Sequence, residues 1–202
     1  CGSKYIKYFG IGTQKVENEV KRFFPEARVL RMDMDTTSRK GAHGAIYRAF
    51  KNHEADILIG TQMVSKGLDF PGVTLVGIIA ADLSINIPDF RSGERTFQLI
   101  TQVSGRAGRG DEPGRVVIQT YNPEHYSIMA SLHQDYNEFY EKEIYMRKTF
   151  EYPPFSDIVN IVVYSRDENE VIKVINDITA KLRQDMEGMG FDANILGPTP
   201  AP

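Results

Sequence analysis

The run Val73-Thr74-Leu75-Val76-Gly77-Ile78-Ile79-Ala80-Ala81 decides the fold class of this chain. It is apolar along almost its whole length, which is typical of a strand covered on both faces inside a parallel sheet. Strand and helix patterns alternate on either side of it. We expect further strands at residues 5–9, 28–32, 56–60 and 115–121, and helices from Thr13, over 39–53 and over 92–107. This alternation predicts an α/β fold with a parallel sheet and helices on both of its faces.

The pattern changes after Pro123. Residues 125–150 read as an amphipathic helix, and two consecutive prolines within residues 152–155 form a rigid break. Beyond the break we expect strands at 158–164 and 191–196. Between them lies a helix that Asp167 and Glu170 begin with the spacing of a capping box. The predicted organisation is therefore one domain over 1–122, a helical linker over 123–150, and an incomplete small α+β segment of a second domain over 151–202.

Bulk composition narrows the function classes. The chain has 202 residues, a formal net charge of −3 and one cysteine, and its length fits one or two domains. Residues 1–120 hold 17 Lys and Arg against 13 Asp and Glu, whereas residues 121–202 hold 7 against 14. Only the first part has a charge suited to phosphates, although ordinary surface variation gives such imbalances too. A single cysteine fits a reducing cytoplasm, and no apolar run reaches the roughly 20 residues of a membrane span.

Residues 102–109, with the sequence Gln-Val-Ser-Gly-Arg-Ala-Gly-Arg, place two arginines three apart at the end of a predicted helix. Arg106 and Arg109 therefore share one face. The glycines beside them, Gly105 and Gly108, let a bulky anion or another backbone come close. Two guanidinium groups so placed suit a triphosphate whose charge rises during phosphoryl transfer. A helix C-terminus with ordinary glycines and surface arginines would have the same sequence, so both interpretations stand at this point.

A second polar segment, residues 60–71, follows an apolar strand directly. Thr61 and Ser65 are short hydroxyl donors that suit phosphate oxygens. Exposed amides around Gly67 can bind the same oxygens, and Asp69 is an acceptor for a ribose hydroxyl. A polar loop with turn residues is the alternative interpretation.

Together the two segments resemble motifs V and VI of the superfamily-two helicases, and residues 12–25 fit the region that precedes them. Five further blocks are similar to the family of bacterial replication-restart helicases that includes primosomal protein N′. These blocks are residues 33–41, 57–63, 89–95, 152–155 and 196–198. The resemblance covers nearly the whole chain. It implies a RecA-like second motor lobe of an ATP-dependent 3′-to-5′ DNA helicase that restarts stalled replication forks, followed by the start of the family's C-terminal domain.

The resemblance also assigns roles to individual residues. Arg106 and Arg109 would reach the γ-phosphate of ATP. The other nucleotide contacts that it implies are Gln102, Gly67 and Asp69. The contacts to the backbone of single-stranded DNA that it implies are Thr61, Gln62 and Ser65.

The cofactors are implied in the same way. In this family the first lobe supplies the phosphate loop and the acidic magnesium motif, and neither pattern occurs in these 202 residues. ATP and magnesium are therefore expected for the parent helicase, and this stretch alone is expected to be inactive. The family also has an upstream insertion with eight cysteine ligands for zinc, and Cys1 resembles the end of its last pair. One cysteine cannot build a tetrahedral site, so we expect Cys1 to be an empty remnant.

The implied partners are single-stranded and forked DNA, the single-stranded DNA-binding protein, other primosome proteins and the first helicase lobe. A second hypothesis is a non-catalytic module that binds DNA or a protein. A third is a different superfamily-two motor, such as a branch-migration or chromatin-type translocase, against which residues 89–95 and the Pro-Pro break count.

Several other polar residues have two interpretations. Arg91, Glu94 and Arg95 are interpreted as a structural ion network, with a DNA path as the alternative. The tyrosines of residues 136–145 are interpreted as packing between domains, with base stacking as the alternative. The histidines share no metal-ligand spacing and are expected at the surface; they are His43, His53, His125 and His133.

Overall fold

The computed structural model describes residues 12–61, 70, 72–108, 113–190 and 193–200. The chain divides into two compact units, Cys1–Phe155 and Ser156–Pro202. The described elements of the first unit are α1 (Thr13–Phe23), β1 (Val29–Met32), α2 (Met34–Thr37), α3 (Ala42–Lys51), β2 (Ile57–Gly60), β3 (Leu75–Ile78), α4 (Asp82–Ile85), α5 (Ser92–Ser104), β4 (Arg115–Ile118), α6 (Tyr126–Leu132) and α7 (Tyr136–Thr149). The second unit contains α8 (Glu168–Met189).

The first pair of strands is β1 and β2, which run parallel with Met32 opposite Gly60 at their carboxyl ends. Helices α1 and α3 both contact β1. Met32 is completely buried and packs with Phe70, whose ring lies 4.9 Å from the ring of Phe50 in an edge-to-face arrangement. Burying an aromatic side chain of this kind stabilises a fold by about 2–3 kcal/mol. Phe70 therefore anchors the chain against the β1–β2 pair just before β3 begins.

The second pair is β3 and β4, which also run parallel, with Ile78 opposite Ile118. Helix α5 contacts β3. Its residue Ile100 is buried and packs with Ala81 and with Ile128 of α6. The carboxyl end of α5 is therefore fixed against the β3–β4 pair.

Helices α5, α6 and α7 pack on one another. The rings of Phe97 and Phe139 stack with their centroids 4.4 Å apart, and Ala130 lies buried beside them. These three residues carry an apolar core from α5 into α7. Residues 126–149 consequently belong to the same compact unit as the strands.

The predicted α/β class is confirmed, with differences in the strands. Ladders join only β1 to β2 and β3 to β4 among the described residues, whereas the sequence predicts one sheet. The strand predicted at 73–81 is shorter, because β3 ends at Ile78 and Ala80 then adopts a left-handed backbone with φ of 56°. The strand predicted at 5–9 lies outside the described residues.

The strand predicted at 158–164 is wrong. These residues form no ladder, and Val159 and Tyr164 expose 84% and 85% of their surface. A strand persists only where its amides and carbonyls meet a neighbouring strand, and none is described in the second unit. Residues 193–196 likewise form no strand, and residues 191–192 of that prediction lie outside the described part.

The helix predicted over 125–150 is two helices. Gln134 adopts a left-handed backbone with φ of 53° and separates α6 from α7. The side chain of Asp135 then accepts a hydrogen bond from the amide of Glu138 at 3.0 Å and begins α7. A polar cap of this kind outweighs helix propensity at a single junction.

The capping box predicted for Asp167 and Glu170 is replaced by other hydrogen bonds. Asp167 accepts from the amide of Asn169 at 2.9 Å, and Glu170 accepts from the hydroxyl of Ser165 at 2.6 Å. A capping box does form at the start of α2, between Asp33 and Thr36. None of the helices in the described part of the chain is long and apolar enough to cross a membrane.

Candidate functional site

The carboxyl ends of β1 and β2 bring two polar residues to one edge. Asp33 follows β1 and Thr61 follows β2, and the residues before them, Met32 and Gly60, lie opposite each other. Thr61 is exposed and its side chain is therefore accessible. Thr61 therefore lies at the edge where binding residues in parallel sheets collect, and its contact to a nucleic-acid backbone stays a prediction.

Asp33 is buried and organises this edge. Its carboxylate accepts hydrogen bonds from the amide of Thr36 at 2.9 Å and from the hydroxyl of Thr13 at the start of α1. The Nε of Arg31 lies 3.1 Å from the same carboxylate. Burial opposes ionisation of Asp33, but the hydrogen bonds from Thr13 and Thr36 and the charge of Arg31 outweigh it and lower the pKa of this carboxyl. Asp33 therefore fastens α1 and α2 to the end of β1.

The second predicted segment lies at the end of α5. Gln102 is exposed in the last turn of the helix. Three successive amides then close short turns: Gly105 to the carbonyl of Thr101, Arg106 to that of Val103, and the next residue to that of Ser104. These turns carry Arg106, which is half-buried and whose Nε is buried. One nitrogen of the Arg106 guanidinium is thus enclosed by the protein.

One backbone hydrogen bond joins the turn that carries Arg106 to a residue just after segment 60–71. The amide of Gly108 donates to the carbonyl of Val73 at 3.0 Å. Val73 is the residue through which segment 60–71 leads into β3. Gly108 has a φ of 73°, a conformation that favours glycine. The turn with Arg106 is therefore fastened to the residues that follow the Thr61 segment.

Six predicted site residues lie outside the described part of the chain. They are Cys1, Gln62, Ser65, Gly67, Asp69 and Arg109. Their roles stay predictions. Of the described ones, the structure places Thr61 at the β1–β2 pair, and Gln102 and Arg106 at the end of α5 beside the β3–β4 pair.

Phe70 is a residue of this region whose importance the sequence interpretation missed. It is buried against Phe50 and Tyr47, whose ring lies 5.3 Å away, and it closes segment 60–71. The signal that could have identified Phe70 is its place as an aromatic residue between a polar segment and the pair Pro71-Gly72. The ring of His53 also packs over Gly72, two residues later, because a Cβ there would lie 2.8 Å from the imidazole.

An ion network joins α5 to α7. Arg147 lies 2.8 Å from a carboxylate oxygen of Glu94 and 2.7 Å from one of Glu143. Tyr126 donates its hydroxyl to the other oxygen of Glu143 at 2.6 Å. Burial raises the pKa of the Tyr126 hydroxyl, and this hydrogen bond raises it further, so Tyr126 stays a donor. Gly93 gives this contact its space, because a Cβ there would lie 2.3 Å from the Tyr126 hydroxyl.

The structure favours the ion-network interpretation of the block around residue 91. Glu94 binds Arg147, Arg95 lies 2.8 Å from Asp89, and the guanidinium of Arg91 lies 4.8 Å from the ring centroid of Phe90. A cleft of about 330 Å³ lies beside this network, and its lining includes the charged residues Asp89, Glu143 and Arg147.

His53 and His133 are exposed, whereas His43 and His125 are partly buried. His125 lies at the start of α6, where its Nδ1 accepts from the amide of Ser127 at 3.3 Å. Burial lowers the pKa of the His125 imidazole, and this effect outweighs the negative charges of Glu143 and Asp82, which raise it. Within the described ranges, no group of three His, Cys, Asp or Glu residues is arranged to hold a metal ion.

The tyrosines of α7 are largely exposed. Tyr136, Tyr140 and Tyr145 expose 62%, 49% and 68% of their surface, and the first two rings stack 6.1 Å apart. Acidic residues surround them on the same helix. Neither packing between domains nor base stacking is decided by this geometry, so both remain predictions.

Residues 6–111 match the family described as the helicase conserved C-terminal domain. The chain is 50% identical over its 202 residues to the replication restart protein PriA of Bacillus subtilis. It spans 25% of the length of that protein. The whole chain is also 47% identical over 201 residues to the PriA of Synechocystis, covering 24% of that protein. A PriA of Chlamydia trachomatis is 42% identical over 92% of the chain and 25% of the relative. The chain thus spans about a quarter of the length of these relatives.

Proposed function

This chain belongs to the helicase conserved C-terminal domain family, and from that membership we propose that it is the second motor lobe of an ATP-dependent 3′-to-5′ DNA helicase that restarts stalled replication forks. The similarity to PriA proteins runs over its whole length. In such a motor ATP lies between two lobes, and opening and closing of the cleft moves the protein along one DNA strand.

The observation that carries the proposal is the hydrogen bond from Gly108 to Val73. A lobe that couples hydrolysis to movement needs a mechanical link between the group that senses the nucleotide and the segment that grips DNA. The turn after α5 carries Arg106, and Val73 lies two residues after segment 60–71 and packs against the Met32–Phe70 cluster. We propose that a displacement at Arg106 reaches segment 60–71 through this bond.

Arg106 and Arg109 are proposed to contact the γ-phosphate. ATP, when bound, supplies the phosphoryl group that is transferred to water. The chemistry of the donor set fits one side of a triphosphate, because the guanidinium of Arg106 and the exposed amide of Gln102 both donate to phosphate oxygens. The buried Nε restricts the rotamers of the Arg106 side chain, which supports a guanidinium that is oriented before the nucleotide arrives. The remaining proposed nucleotide contacts are Gly67 and Asp69.

Thr61 is proposed to hold the backbone of single-stranded DNA, together with Gln62 and Ser65. Its exposed position at the end of β2 supports this role. A hydroxyl donates to phosphate oxygens without reading base identity, so we propose binding that tolerates any sequence. Asp33, at the neighbouring strand end, is occupied by its own hydrogen bonds and its carboxylate is turned to the protein.

The phosphate loop, the magnesium site and the zinc ligands are proposed to lie elsewhere in the full-length protein. Magnesium is proposed to be held with the phosphate loop of the first lobe, and zinc by the upstream cysteines. Cytoplasmic location and assembly with forked DNA, the single-stranded DNA-binding protein and other primosome proteins are proposed on the same grounds.

A strand-displacement assay with the full-length protein tests the proposal. We expect ATP-dependent unwinding of a partial duplex with a 3′ single-stranded tail and much weaker unwinding of the matched substrate with a 5′ tail. ATP hydrolysis should rise when either single strand is added. Tight DNA binding without any DNA-stimulated hydrolysis would instead favour the non-catalytic binding module.

A further inference from the structure

The start of β4 touches the turn after α5, backbone to backbone. A Cβ built on Gly114 would lie 2.3 Å from the carbonyl carbon of Ala107, 2.3 Å from the amide nitrogen of Gly108, and 2.6 Å from the Cβ of Ala107. Ordinary contacts of a Cβ are 3.4–4 Å. Two of these three neighbours are main-chain atoms, which cannot rotate away as the end of a flexible side chain can. Any residue other than glycine at position 114 would therefore force the two segments apart.

Both segments are bonded to consecutive carbonyls in the two residues that precede β3. The amide of Gly108 donates to the carbonyl of Val73 at 3.0 Å, and the amide of Arg115 donates to that of Thr74 at 2.8 Å. Arg115 follows Gly114 directly and begins β4. The start of β4 is thus fixed at one carbonyl and the turn at the next. Gly114 fills the space between them, where there is room for no side chain.

The turn cannot move away without losing its own bond. Gly108 holds a φ of 73°, and a Cβ on it would lie 2.4 Å from the amide nitrogen of Gly114. A methyl group at position 114 would require a shift of about 1 Å, which is enough to break the bond from Gly108 to Val73. Arg106 lies two residues before Gly108 in the same series of short turns. The shift would therefore reach the base of the Arg106 side chain.

We propose that Gly114 is a positioning residue for phosphoryl transfer, which acts by seating the turn that aims Arg106. The inference rests on the proposed function, because it needs Arg106 to contact the nucleotide. Gly114 itself touches neither nucleotide nor DNA. Because Gly114 has no Cβ, the start of β4 can lie against Ala107 and Gly108 while the amide of Gly108 stays bonded to Val73.

The test is Gly114→Ala in the full-length protein, with steady-state DNA-stimulated ATP hydrolysis as the readout. A misplacement of about 1 Å at a reacting group costs up to about 100-fold in rate, so we expect kcat to fall by about 10- to 100-fold. The affinity for single-stranded DNA should stay within about threefold, because the proposed DNA contacts lie on the other strand pair. The matched control is Gly77→Ala in β3, where a Cβ would meet nothing within 4 Å; its kcat should equal that of the unaltered protein.

A double-mutant cycle separates positioning from simple loss of stability. In an Arg106→Lys background, which already lacks the bidentate guanidinium, Gly114→Ala should lower kcat by less than about threefold. An equal factor in both backgrounds, or a kcat for Gly114→Ala within about twofold of the unaltered protein, overturns the inference. If Arg106→Lys itself hydrolyses ATP normally, the proposed function of Arg106 fails instead.

A measurement on the unaltered protein covers the case in which Gly114→Ala does not fold. The amide of Gly108 should exchange with solvent deuterium at least about 100-fold more slowly than in an unstructured peptide, because it is bonded to Val73. Exchange at the unstructured rate would mean that the turn is not seated, and would overturn the inference.

Discussion

The guanidinium of Arg147 lies 2.8 Å from the carboxylate of Glu94, a residue 53 positions earlier in the chain. This contact joins α7 to the first turn of α5, the helix whose far end carries the Arg106 turn. Arg147 also donates to Glu143 on its own helix and to the carbonyl of Pro153. One side chain therefore ties α5, α7 and the Pro-Pro break together within the first unit.

Replacing Arg147 with Met tests the strength of this tie. Glu143 is buried and would lose its cationic partner, while the Met side chain keeps the apolar volume. Removing one partner of a buried ion pair leaves an uncompensated charge, and the free energy of unfolding should fall by about 2–4 kcal/mol in urea denaturation. The control is Lys142→Met on the same helix, whose ion pair with Glu138 is exposed and should contribute no more than about 1 kcal/mol. Equal losses for the two variants would contradict the structural role of Arg147.

The acid dependence of stability should report on Asp33. Its folded pKa lies below the usual 3.8, so the ionised carboxyl stabilises the folded chain fully above that value. As the pH falls below 3.8, the unfolded chain takes up a proton first, and the contribution is lost through the lowered folded pKa. Asp33→Asn should therefore cost about 1–3 kcal/mol at pH 7, and this difference should shrink toward about pH 2.

Urea midpoints measured from pH 7 downward would check the Asp33 prediction. Asp35→Asn is the matched control, because Asp35 lies on the same short helix and is exposed. At pH 7 its variant should lie within about 0.5 kcal/mol of the unaltered protein. A difference between Asp33→Asn and the unaltered protein that widens in acid would have the wrong sign.

Phe70 should be a main anchor of the segment that begins at Thr61. Phe70→Ala removes a buried ring that contacts Phe50 and Tyr47, and it should lower the free energy of unfolding by about 3–5 kcal/mol. Phe23→Ala, at a ring that is 66% exposed, should change it by no more than about 0.5 kcal/mol. A small effect at Phe70 would mean that the cluster around Met32 does not hold this segment.

Much of the fold follows from patterns in the sequence. The apolar runs at 28–32 and 56–60 predicted β1 and β2, and the helical spacing over 92–107 predicted α5 with an end only three residues too late. These predictions succeeded because apolar runs and helical periodicity are local patterns that mark which face of an element is buried in the core. The strand at 158–164 failed, because a strand depends on a partner that local sequence does not reveal.

The candidate site was less visible in the sequence. Residue type and spacing predicted site residues at Arg106 and Thr61, and their roles stay predictions. The bond between Gly108 and Val73 joins residues 35 positions apart, and the clash distance at Gly114 depends on how two segments cross. The same holds for Arg147 and Glu94. Contacts between distant segments are set by packing, and a single sequence carries no local mark of them.

The most direct test of the central claim is DNA-stimulated ATP hydrolysis by the full-length protein with Arg106→Ala. Arginines that contact the transferring phosphate contribute about 10³–10⁵ in rate, so kcat should fall by about 10³-fold or more while single-stranded DNA is still bound. Arg22→Ala, on the exposed end of α1 where the guanidinium pairs with Glu19, is the matched control and should retain full activity. A kcat for Arg106→Ala within about threefold of the unaltered protein would contradict the account.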